Sequence, residues 1–273
     1  MTTAKIEIRS LTKGLCIWLV IFMLVIFGFS AVYPQMHDSA MKDVMDASLK
    51  GLSPALLKTF NLSTSGQTSF LVATGFFAYY FQYMFLAAAI YAMMLGSQAL
   101  IKEETDGTIE FLYAQPVTRK GIVSGKLLAN SGILFLFWLF SFSLSLGATL
   151  LFKQSSDTTG EIVSGISRIF GQEAIILFFF LALGFFLSAL LRSSKQSMSI
   201  SLGIVFGFYL FGILAELNDT FSWAKKLSPI HLGIPSSLLD NGLSVTAIAV
   251  LLGCSLLFLA GSYEVYQRKD LKI

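Results

Sequence analysis

The sequence predicts an all-α integral membrane protein: six transmembrane helices, both termini cytoplasmic, and a short helix in the cytoplasmic loop between helices 2 and 3. Three observations predict it. The first is composition, with 55% hydrophobic and 13% charged residues among 273, where a soluble domain carries about a quarter charged. The second is a set of six apolar runs at 15–33, 70–98, 129–152, 170–191, 197–217 and 243–263, each of about 20 residues or more, the length that crosses a bilayer as a helix. The third is the placing of Lys and Arg. One side of the predicted membrane holds Lys5, Arg9, Lys13, Lys102, Arg119, Lys120, Lys126, Arg192, Lys195, Arg268, Lys269 and Lys272. The other holds Lys42, Lys50, Lys58, Lys153, Arg168, Lys225 and Lys226 over a longer total length. The denser side is the cytoplasmic one by the positive-inside rule.

Each element has its own reason. The first run follows a short basic stretch, is too long for the apolar core of a cleaved signal, and ends on Tyr33, an aromatic suited to the interface; it reads as a retained helix. The other five must also be helices, because lipid offers no partner for a free backbone amide. Between the first two, at 34–69, Met41, Val44, Met45, Leu49 and Leu52 share one helical face opposite Lys42, Asp43, Asp46 and Lys50. This is an amphipathic segment, lying at the outer interface or packed on the protein's own outer face. Before the last run, Trp223, Pro229 and Pro235 break a half-apolar stretch that fits a partly embedded, re-entrant segment.

The runs carry few ionisable groups. Glu173 and Glu216 are placed near the outer ends of the fourth and fifth, and no midplane carboxylate is expected, which argues against a carrier driven by protons or sodium. Small residues recur every fourth position: Ser141, Ser145 and Thr149 in the third run, and Ser199, Gly203 and Gly207 in the fifth. Such ladders let helix backbones approach closely. They serve packing within the chain or, for Ser199, Gly203 and Gly207, a subunit interface or translocation path. Cys16 and Cys254 lie inside apolar runs and His37 and His231 in outer loops, so no metal framework assembles. Net charge of +3 with scattered basic residues gives no nucleic-acid footprint.

The most polar stretch, 102–126, resembles a phosphate-binding loop only superficially. That loop needs Gly, four residues, then Gly-Lys-Ser/Thr; here Gly121 and Gly125 are separated by Ile-Val-Ser, and Leu127 follows Lys126. The physical reading is a helix past the membrane surface broken at Asp106–Gly107, then a short helix presenting Ile109, Leu112 and Tyr113 on one side. Pro116 ends that helix, and Thr118 caps the next. The segment is either a plain interfacial loop or a docking knob.

The pattern Glu103, Gly107-Thr108, Pro116-Val117-Thr118-Arg119 and Gly125-Lys126, together with Leu-Ser-Pro-Ile-His-Leu at 227–232, resembles the membrane subunits of type-2 exporter permeases among ATP-binding cassette (ABC) transporters. The resemblance implies that 102–126 is a coupling loop received by a separate cytosolic ATPase. The contacts would come from Glu103, Glu104, Gly107, Thr108, Ile109, Leu112, Tyr113, Pro116, Arg119 and Lys126, with a second contact at Arg192 and Lys195. It implies a working unit of two ATPases and two permeases, alike or different. ATP and Mg would be bound by the ATPase, with no cofactor and no enzymatic site in this chain. The location would be a plasma membrane, in a bacterium. The rival readings are a non-transporting membrane scaffold or sensor and an ion-coupled carrier.

Overall fold

The apolar runs close their backbone hydrogen bonds locally, as the lipid argument requires. The computed structural model describes residues 2–37, 51, 66–108, 117–191, 193–217 and 225–269. Its long helices are α1 (Thr2–Val32), α2 (Ala73–Gln98), α4 (Arg119–Phe152), α5 (Thr159–Leu190), α6 (Ser197–Leu217) and α9 (Val245–Arg268). Between them lie the short α3 (Lys102–Asp106), α7 (Pro229–Leu232) and α8 (Pro235–Asp240). The six long helices are each apolar and long enough to cross a membrane, so the chain is an all-helical, multi-pass membrane protein. Most of the amphipathic segment expected within 34–69 lies outside the described residues.

Helix α2 is the centre of the bundle, buried along most of its length. An aromatic chain fixes it: Phe77 stacks on Phe81 at 4.6 Å between ring centroids, Phe81 lies 4.9 Å from Phe170 of α5, and Phe170 lies 4.4 Å from Trp138 of α4. The Trp138 indole N–H donates to the Phe170 carbonyl at 2.9 Å, which satisfies the polar end of a buried ring. Toward the other end of α2 the packing becomes backbone on backbone. A Cβ on Gly96 would stand 2.2 Å from the Leu181 carbonyl, and one on Gly184 would stand 2.4 Å from the Met93 carbonyl. Here α2 and α5 therefore approach backbone to backbone.

The small-residue ladders behave differently. Ser141, Ser145 and Thr149 are buried, and Ser141 and Thr149 donate to carbonyls four residues back in their own helix, each at 2.8 Å. Ser199, Gly203 and Gly207 face outward, and a Cβ on either glycine would meet nothing within 4 Å.

At the end of the bundle away from the termini, Asp157 acts as a clamp. Its carboxylate accepts from the Tyr33 hydroxyl at 2.8 Å, the Gln154 amide at 2.9 Å and the Ala73 amide at 3.3 Å, joining the turn just after α1, the α4–α5 turn and the start of α2. The chain between α6 and α9 then dips back into the bundle. The Gly233 backbone lies so close to Phe85 of α2 and Ile176 of α5 that a Cβ there would be 2.4 Å and 2.9 Å from them. Ser228 holds this hairpin by donating to the Phe208 carbonyl at 2.7 Å and accepting from the His231 amide at 3.2 Å. Glu216 closes its mouth with Lys225 at 2.7 Å and His231 at 3.2 Å.

One expectation needs correcting. Glu173 was placed near the outer end of its span, but α5 begins at Thr159, well before the apolar run. Gly165 meets Thr74, and Gly184 meets Met93 and Ser97, so Glu173 lies between these levels, beside the middle of α2. It is fully buried, and neither carboxylate oxygen has a hydrogen-bond partner among the described residues. The physical reason is that the start of α5 is polar enough to escape a hydropathy reading and yet continues the same helix.

Candidate functional site: the elbow between the second and third spans

The elbow is built where α2 stops. Its last turn loosens at 99–101, and the freed amides of Leu100 and Ile101 donate to the Ser188 hydroxyl of α5 at 2.8 and 3.1 Å. On the other side Ser97 bonds the hydroxyls of Ser197 and Ser201 in α6, the latter at 3.0 Å. Helix α3 follows and ends on Gly107 in the left-handed conformation, φ +68°, with the Thr108 amide donating to the Glu103 carbonyl at 3.0 Å. Only glycine adopts that cap without strain. The chain resumes at Val117, and Thr118 accepts from the Gly121 amide at 3.1 Å as the N-cap of α4, as its position before an apolar-periodic run predicts.

The charges of this segment turn inward. Lys126 is 2% exposed; its ammonium pairs with Glu103, donates to the Ala99 carbonyl and lies 3.9 Å from Glu7 of α1. Lys269, beyond the end of α9, pairs with Glu104 at 3.0 Å and donates to the Leu191 carbonyl at 3.1 Å. Arg119 donates to the carbonyls of Gln267 and Lys269 at 2.9 and 3.0 Å. The Ser194 amide donates to Thr105 at 2.8 Å, Ser124 bonds Tyr263 at 2.7 Å, and Lys102 donates to Ser10 of α1 at 2.6 Å. Contacts from all six long helices therefore meet in one frame around the elbow.

Of the predicted contact residues, Glu103, Glu104, Arg119 and Lys126 come together here with partners inside the chain. Gly107 and Thr108 are exposed at the frame's edge, as is Lys195 on the α5–α6 turn. Ile109, Leu112, Tyr113, Pro116 and Arg192 lie outside the described residues. Gly121–Lys126 forms the first turns of α4, with Lys126 buried against acids, so the phosphate-loop likeness has no structural counterpart. Sequence reading missed the roles of Lys269, of Ser188 and of the Ser97–Ser197–Ser201 cluster. Their only signals were a basic residue closing the last helix and serines near helix ends.

Comparison with known proteins agrees with this architecture. Residues 1–271 match the family described as ABC-2 family transporter protein. Among curated proteins, the chain is 26% identical over 170 residues to NosY of Pseudomonas aeruginosa, described as a probable ABC transporter permease protein; the match covers 62% of each chain. The chain thus aligns with somewhat less than two thirds of that relative's length. The family is one of permease subunits without a catalytic ATPase domain. Six helices long and apolar enough to cross a membrane accompany a match over residues 1–271, and that match places this protein in the ABC-2 family of transporter proteins.

Proposed function

We infer that the chain is the permease subunit of an ATP-driven exporter, sits in a bacterial plasma membrane with both termini cytoplasmic, and is worked by two copies of a separate cytosolic ATPase that binds ATP and Mg. Two such permeases, identical or different, form the path. The observation that carries this reading is the elbow frame. Segment 109–116 leaves it at Thr108 and re-enters at Val117, so a force applied there is passed to the ends of several spans at once. Ile109, Leu112 and Tyr113 make the apolar contact with the ATPase, flanked by Gly107, Thr108 and Pro116, with Arg192 and Lys195 as a second contact. Glu103, Glu104, Arg119 and Lys126 hold the frame that receives the push. Ser199, Gly203 and Gly207, facing outward, supply the surface for the second permease or the path. A change of state follows only if the ATPase binds the two conformations with different affinity.

The test separates docking from scaffolding. Leu112→Asp, in the full chain co-expressed with an ABC ATPase that co-purifies with the unaltered permease, is expected to abolish co-purification while leaving thermal stability unchanged. Glu104→Lys is expected to lower both, because it repels Lys269 inside the frame. Normal co-purification and transport in Leu112→Asp would overturn the assignment. Transport driven by an ion gradient with ATP absent would overturn the energy source.

A further inference from the structure

Helices α6 and α9 stand apart, and the gap between them is a cavity of about 620 Å³. That lies within the range of about 300–1,000 Å³ typical of small-molecule sites. Its walls are Phe208 of α6, Pro229 and Leu232 of the hairpin, and Ala247, Val250 and Cys254 of α9, with Phe179 of α5 also lining it. Its polar groups lie toward the hairpin and the start of α9: Lys226, Ser244 and Thr246. The two hydroxyls are engaged with each other at 3.0 Å, and Ser244 also caps Ala247. Lys225 is occupied by Glu216. Lys226 is exposed and has no acidic partner among the described residues. From Thr246 to Cys254 the cavity follows α9 for roughly 12 Å at the rise of a helix.

We propose that this cavity holds an acyl chain of an anionic membrane phospholipid, with the headgroup phosphate at Lys226. The polarity runs the right way for such an amphiphile: at the rim an exposed ammonium with no acidic partner among the described residues, apolar walls below, and no acid among the lining residues. A lysine at that level keeps its head in the interface while its stem covers apolar surface. The cavity lies between helices that both expose apolar side chains, among them Leu210, Leu214 and Val250, so a chain reaches it sideways from the bilayer without crossing a polar barrier. The site needs only that the chain spans a membrane and is independent of transport, so its failure leaves the permease reading intact.

The full chain carries its own reporter, because Cys254 lines the cavity and the other thiol, Cys16, is exposed on α1. In a Cys16→Ser background, N-ethylmaleimide modification of Cys254 is followed by intact mass in nanodiscs of phosphatidylglycerol or of phosphatidylcholine. Lipid retention is measured in parallel by native mass spectrometry. Modification is expected to be slower, and retention higher, in phosphatidylglycerol. Lys226→Ala should erase about fivefold of that preference, the weight of one lysine facing an anionic surface. Ala247→Trp, which fills the cavity, should abolish retention of either lipid. Equal retention of the two lipids by the unaltered chain overturns the proposal. So does a preference that survives Lys226→Ala, a substitution at an exposed side chain that leaves folding intact. Protection of Cys254 that rises with protein concentration at constant lipid would assign the cavity to a second copy instead.

Discussion

Gly184→Ala is the sharpest perturbation this fold offers. In an ordinary helix that exchange is favourable by about 1 kcal/mol, because alanine loses less backbone entropy. Here the added Cβ would lie 2.4 Å from the Met93 carbonyl oxygen and 2.9 Å from the Ser97 amide. Both obstacles are backbone atoms of α2, so no side chain can rotate away, and the two helices must separate by about 1 Å to restore van der Waals contact. Overpacking of this kind costs about 1–3 kcal/mol, and separation also stretches the Ser188 bonds to Leu100 and Ile101 at the elbow. Overpacking and propensity alone leave a net loss of about 0–2 kcal/mol, and the stretched Ser188 bonds move the expected value toward the upper end. Gly203→Ala is the internal control, since its Cβ would meet nothing within 4 Å; it should be neutral or slightly stabilising in the monomer. The assay is the half-life of the folded protein in detergent at fixed temperature, which stays meaningful when unfolding is irreversible. The Gly96→Ala/Gly184→Ala double variant should lose less than the sum of the singles, because the first separation of the helices relieves both clashes. Wild-type stability in Gly184→Ala, or equal damage from Gly203→Ala in the monomer, would refute the close α2–α5 contact.

Two further substitutions test buried charge. Lys126→Leu leaves Glu103 unpaired beside Glu7 and should destabilise by about 3 kcal/mol or more, whereas Lys126→Leu/Glu103→Leu should recover much of the loss, since a buried pair adds little beyond apolar residues of similar size; both are read by thermal inactivation in detergent. Glu173→Leu removes two unpartnered carboxylate oxygens from the bundle and should stabilise by about 1–3 kcal/mol, with a lower half-life than wild type as the contrary result.

The six spans and the cap at Thr118 were legible because each depends on a local rule, apolar length in one case and a hydroxyl before an apolar-periodic run in the other. The elbow frame was legible only in part. Glu103, Glu104, Arg119 and Lys126 stood out as charges in an apolar chain, but a sequence cannot tell a charge that faces a partner from one that faces Lys269, more than a hundred residues away. The close α2–α5 contact was not legible for a related reason. Ser199, Gly203 and Gly207 advertise themselves at fourfold spacing and face outward, while Gly96 in α2, with Gly184 and Ser188 in α5, makes the contact. Periodicity identifies a face; only the partner helix says what that face meets. Glu173 was misplaced because hydropathy marks where lipid begins rather than where a helix does.

The two ends of the bundle are built to different standards, and that difference bears on how the molecule moves. At the end with the termini, charges and hydroxyls from every long helix interlock, with Lys126, Glu103, Lys269 and Glu104 buried or nearly so. Separating α4 or the end of α9 there would leave a charge without its partner, a cost of several kcal/mol, and separating α5 or α6 would break buried hydroxyl bonds. That end therefore moves as one piece. At the opposite end α6 and α9 leave a cavity between them, closed by a hairpin whose tight contacts are to α2 and α5 rather than to α9. Apolar surfaces facing lipid or an open cavity slide at little cost, because lipid tails replace whatever contact is lost. A push on segment 109–116 would thus tilt the framed ends together, and the displacement would show up where the packing is loosest, between α6 and α9. On this physical account the elbow is stiff and the opposite end yields, the arrangement a lever needs if the work is done on one side of the membrane and the opening occurs on the other.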